Sequence, residues 1–182
     1  MYIFDSHVHI YPEKIAAKAS ENIGDFYSLD MAFDGSIAAL LKANEKAGIN
    51  RCLVHSVATT KEQVQKINDF IAESVNEYPD KFVGFGSLHP SMTQKEIDEL
   101  VEWADIIYVG GGNTFYMMEV WRRYGLDRKL MEVYSNDTAI LTGISAGAMC
   151  WFDCGHSNSE VFWVDGNIGY GWVEQLLNIH TY

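Results

Sequence analysis

The stretch "AILTGISAGAMC", Ala139–Cys150, governs how the rest of the chain is read. An apolar run, Ala139–Thr142, leads into G-x-S-x-G at Gly143–Gly147, and an apolar segment, Met149–Phe152, follows. Strand, sharp turn and helix in that order form the setting of a nucleophile elbow. Gly143 and Gly147 let the chain turn tightly. Ser145 then presents its hydroxyl at the C-terminal edge of a sheet, and the next backbone N–H faces a developing oxyanion. A serine hydroxyl is a poor nucleophile at neutral pH, so the elbow also demands a base.

Working outward from this stretch, short β-branched runs alternate with amphipathic helical segments. Upstream, "DIIYVGGG" reads as a strand, and "NTFYMMEVWRRYG", "RKLMEVYSN" and "QKEIDELVEWA" read as helices. Nearer the N-terminus, "YIF" leads into "DSHVHI"; "SIAALLKANEKAG" is a helix ending at Gly48; "RCLVHSV" is a strand. "KEQVQKINDFIAESVNEY" is a helix stopped by Pro79, and "KFVGFGSLHP" a strand closed by Pro90. About five strand–helix units of this kind predict an α/β fold, Rossmann-like or flavodoxin-like, with a mostly parallel sheet in one three-layer domain over residues 1–182. Beyond residue 155 the rhythm fails in the aromatic, glycine-rich "SNSEVFWVDGNIGYGW", and "VEQLLNIHTY" suits a last helix or strand.

Composition narrows the function classes. In 182 residues, 48% hydrophobic and 21% charged, there is material for one sizeable core or two small ones. A net charge of −12 repels phosphates, which argues against nucleic acid and anionic membrane as partners. Three cysteines, Cys52, Cys150 and Cys154, form no C-x-x-C pair, and no signal-like or membrane-spanning run is present. A cytoplasmic location is the expectation, with oligomeric state left open.

Histidines mark the predicted strand ends. In "DSHVHI", His7 and His9 lie two residues apart on a strand, so both side chains share a side and can grip one metal ion. His55 in "VHS" and His89 in "LHP" close the next two predicted strands, where an α/β protein assembles its site.

Two resemblances add to this reading. "DSHVHIYPEKIA", "GINRCLVHSVATT" and "YPDKFVGFGSLHP", within residues 1–98, resemble the N-terminal part of the TIM-barrel amidohydrolases of the amidohydrolase-2 type. That resemblance implies His7 and His9 as the first two ligands of a divalent metal, usually zinc. The family's later histidine and aspartate have no matching segment. The expectation is therefore weak zinc binding through His7 and His9, with His55 or His89 as further candidates.

"DIIYVGGGNTF" and "GISAGAMCWFDCGHSNS" resemble the S51 serine peptidases, which include aspartyl dipeptidase and cyanophycinase-like proteins. The resemblance implies Ser145 as nucleophile, with oxyanion N–H groups from Ala146 and from Gly111 or Gly112. Serine chemistry of this kind requires no cofactor. The family's catalytic histidine follows the serine in a proline-histidine-tyrosine segment. Here the chain reads "NIHTY", so His180 is a candidate base that lacks the preceding proline, and His156 in "GHSNS" is the other candidate.

The two resemblances meet near residues 98–103, and each site is expected to be incomplete. Three functions follow as expectations. The first is an S51-type serine hydrolase of small peptide or amide bonds acting through Ser145. The second is a metal-dependent amidohydrolase-like protein using His7 and His9, and the third a folded chimera or truncated product without turnover.

Overall fold

The computed structural model describes residues 1–164, 167–174, 176 and 177. Its first unit, Met1–His89, contains β1 (Phe4–His9), α1 (Glu13–Tyr27), α2 (Ile37–Ala47), β2 (Arg51–His55), α3 (Lys61–Glu77) and β3 (Phe82–Gly84). The strands pair in parallel in the order β1-β2-β3. Ile10, Cys52, Val54, Ile71 and Phe82 are buried together, and Ile37, Leu40, Ile67 and Phe70 of the flanking helices pack against them. Helix ends follow local chemistry. Ser36 accepts from the Ala39 amide at 3.2 Å to start α2, and Gly48 closes it at φ 70°.

The second unit, Pro90–Tyr182, contains α4 (Gln94–Trp103), β4 (Ile106–Val109), α5 (Thr114–Tyr124), α6 (Leu126–Asn136), β5 (Ile140–Gly143), α7 (Ala146–Met149), β6 (Cys154–Val164) and β7 (Asn167–Glu174). β4 pairs with β5 in parallel, and β6 with β7 antiparallel. A capping box opens α4: the Thr93 amide donates to Glu96 at 2.7 Å, and the Glu96 amide donates to Thr93 Oγ1 at 3.3 Å. Gly125, at φ 75°, ends α5 and begins α6.

The structure is α/β, with parallel strands alternating with helices as the sequence predicts. The parallel strands among the described residues belong to two sheets, one in each unit. The units divide between His89 and Pro90, ahead of the 98–103 junction. The reason lies in α4, which packs with α6: Lys129 Nζ lies 3.0 Å from Glu102 and 3.6 Å from Asp98.

Three elements differ from the sequence expectation. α1 has no counterpart in it; the face it buries carries the small residues Ala16, Ser20 and Gly24. β3 is only three residues long. Its continuation is a loop fixed by Asn68, which accepts from the Ser87 amide at 2.7 Å and donates to the Ser87 carbonyl at 3.0 Å. The aromatic, glycine-rich segment forms the β6–β7 hairpin, for which Asp165-Gly166 is the sequence signal between two β-rich runs.

Thr93→Ala is expected to lower stability by about 1 kcal/mol, since it removes a cap at an exposed site and no packing. Urea denaturation checks this, and an unchanged midpoint would contradict the capping role.

Candidate active site

β4 and β5 run side by side with Tyr108 opposite Thr142 and Val109 opposite Gly143. This register brings Gly110–Gly112, after β4, beside Ile144–Ser145, after β5. The Ile144 amide donates to the Val109 carbonyl at 3.1 Å and extends the ladder one residue past the strand. Ser145 then turns with φ 55° and ψ −120°, an unfavourable backbone for a residue with a side chain. Ser145 is exposed, while Ala146 and Gly147 behind it are buried.

The glycines have different jobs. A Cβ at Gly147 would overlap the Val109 carbonyl oxygen and lie 2.6 Å from that of Gly110. At Gly143 it would overlap the Gly147 carbonyl. These two permit backbone contact between strand and helix start, so the turn can be tight. A Cβ at Gly111 would lie 3.2 Å from Ser145 Cβ, which places the Gly111 backbone directly beside the serine. Gly112 has φ 145°, a conformation that favours glycine, with open space around it. Ala146 opens α7, so its amide is among the first-turn donors that a helix leaves without an internal acceptor.

The loop after β4 is tied down on its far side. Asn113 caps α5 by accepting from the Tyr116 amide at 2.8 Å. Ser157 Oγ, from the "GHSNS" stretch on β6, donates to Thr114 Oγ1 at 3.3 Å with both residues buried. That stretch therefore braces the glycine loop. His156 is exposed on β6. His180, the other candidate base, lies outside the described residues. Among the described residues no histidine is hydrogen-bonded to Ser145.

A second cluster lies in the first unit. His9 on β1 is the register partner of His55 on β2, and the His7 ring packs edge-on against both. Ring centroids are 5.0 Å apart for His7–His9, 4.4 Å for His7–His55 and 4.2 Å for His9–His55. One nitrogen from each lies within 4.8 Å of the others. Burial, reinforced by the neighbouring imidazoles, holds the His55 pKa down at about 3, and burial with His7 lowers that of His9. The His9 and His55 rings are thus held in the neutral form that metal ligands require. His55, one of two further histidines marked by the sequence, joins the pair, whereas His89 is not in the cluster.

The second unit therefore presents a strand, a sharp turn at Ser145 and a helix start, with a glycine loop against the serine. Residues 62–167 match the sequence profile of peptidase family S51, and the chain belongs to that family. The match begins inside α3, within the part whose motifs resemble amidohydrolases. A curated relative, the uncharacterized peptidase YgaJ of Bacillus subtilis (strain 168), is 42% identical over 74 residues, which are 39% of this chain and 32% of the relative. The chain thus spans about a third of that relative's length. Among solved structures, a probable 2-pyrone-4,6-dicarboxylic acid hydrolase from Acinetobacter baumannii with citric acid bound is similar at 11% identity and a TM-score of 0.38, over 78% of this chain and 57% of that one. No helix among the described residues is long and apolar enough to cross a membrane.

Gly147→Ala is expected to destabilise the protein by at least about 2 kcal/mol, because the added carbon meets backbone that cannot move aside. Gly48→Ala, where nothing lies within 4 Å and only the positive φ opposes a side chain, is expected to cost about 1 kcal/mol. Equal losses in urea denaturation would contradict the close approach at Gly147.

Proposed function

We propose that the second unit carries an S51-type serine hydrolase site for small peptide or amide bonds, with Ser145 as the nucleophile. The observation that carries this reading is the Ser145 backbone, held at φ 55° with Gly111 beside it. Ser145 Oγ attacks the carbonyl carbon, and the carbonyl oxygen becomes an oxyanion received by the Ala146 amide and by that of Gly111 or Gly112. The serine proton passes to a base and then to the departing amine as the C–N bond breaks. Water completes the cycle by hydrolysing the acyl-enzyme. His180 is the candidate base. Without a base the hydroxyl stays protonated and only slow acylation by reactive reagents remains, the residual rate that an oxyanion hole and binding supply.

A second reading rests on the histidine cluster: amidohydrolase-like hydrolysis with zinc at His7 and His9. The imidazole donor set fits such an ion, which when bound would lower the pKa of its water toward neutrality. Hydrolysis lost on chelation and restored by zinc would support it.

Fluorophosphonate is expected to label the wild-type protein slowly at Ser145, and Ser145→Ala to abolish labelling. Peptide turnover lost in both Ser145→Ala and His180→Ala would establish the pair. Labelling that survives Ser145→Ala, read by mass spectrometry of the modified peptide, would sink the serine reading.

A further inference from the structure

We propose that His7, His9 and His55 form a three-imidazole site for a borderline divalent cation of the zinc class, which clamps edge strand β1 to β2. The inference rests on the same ion and on two ligands, His7 and His9, of the metal reading above, adds His55, and requires no hydrolysis.

Three observations carry it. The first is the ligand set: one nitrogen from each ring lies within 4.8 Å of the others, and tetrahedral zinc with bonds of about 2.0–2.1 Å needs ligand nitrogens about 3.3 Å apart. Small rotations about the side-chain bonds close that gap. The second is His9 Nδ1, buried with no hydrogen-bond partner among the described residues. Leaving a buried polar atom unsatisfied costs about 1–3 kcal/mol, and a lone pair given to a cation removes the deficit. The third is strand placement. His9 and His55 face each other in the β1–β2 register, so an ion held by both bridges two strands. β1 is the edge strand of its sheet, and residues 1–4 before and at its start are exposed.

The chemistry of the donors selects the ion. Three imidazole nitrogens, with no carboxylate in the cluster among the described residues, favour zinc, cobalt, nickel and copper, whereas magnesium and calcium require oxygen ligands. Three protein ligands also leave one tetrahedral position for water. His55 is what distinguishes this site from a two-ligand H-x-H grip, and its loss should be felt as strongly as the loss of His9.

The test is calorimetric titration of chelator-stripped full-length protein with zinc chloride and, separately, magnesium chloride, together with thermal melts. One zinc per chain, a raised Tm with zinc and no response to magnesium are expected. His55→Ala and His9→Ala should each weaken zinc at least tenfold, and His89→Ala should not. Because replacing a packed histidine can itself disturb the fold, wild-type protein loaded with cobalt provides an independent readout: a tetrahedral visible spectrum displaced by one equivalent of zinc. Absence of stoichiometric zinc binding, or binding unchanged in His55→Ala, would overturn the site. Stoichiometric His55-dependent binding without zinc-dependent hydrolysis would uphold it and contradict only the amidohydrolase-like reading. Zinc-dependent hydrolysis that survives His55→Ala would do the reverse.

Discussion

Parallel pairing of β4 with β5, with Val109 opposite Gly143, is the constraint on which the serine site depends. Side chains alternate along a strand, so a shift of one residue would turn Thr142 and Tyr108 to the other faces and separate the two strand ends. With this register, the glycine loop and the serine turn leave the sheet at the same level. The Ile144 amide then continues the ladder onto the Val109 carbonyl, and Gly147 is carried against that carbonyl as the chain turns. Each step requires the one before it.

Backbone strain at Ser145 is the consequence. A φ of 55° with ψ −120° costs of the order of 1–3 kcal/mol, and surrounding contacts must hold it. Here they include the Ala148 and Met149 amides on the Ser145 carbonyl, each at 3.0 Å, and the burial of Ala146, Cys150 and Trp151 behind the turn. Burial also raises the Cys150 thiol pKa to about 12, so that side chain packs as an apolar group and offers no competing nucleophile. The effect is to leave Ser145 exposed on a turn whose following residues are buried.

What could be read from sequence depended on whether the deciding contacts were local. Ser36 and Gly48 at the ends of α2, and the G-x-S-x-G turn, announce themselves because cap and turn chemistry involves neighbours within four residues. The β6–β7 hairpin hides behind glycines that dilute the strand alternation. In the candidate sites the same division holds. Ser145 and the H-x-H pair are legible from spacing, while His55 joins His9 only through the pairing of strands more than forty residues apart. The brace from Ser157 to Thr114 is likewise a long-range contact that no local pattern signals.

The central claim is that register and strain together build an oxyanion-binding turn at Ser145. A crystal structure of the protein after reaction with a fluorophosphonate tests it most directly, since phosphorus bonded to a serine mimics the tetrahedral intermediate. The account predicts phosphorus on Ser145 Oγ, φ of Ser145 still near 55°, and the phosphonyl oxygen within about 3 Å of the Ala146 amide and that of Gly111 or Gly112. An adduct whose phosphonyl oxygen points into solvent, with Ser145 relaxed to negative φ, would contradict it.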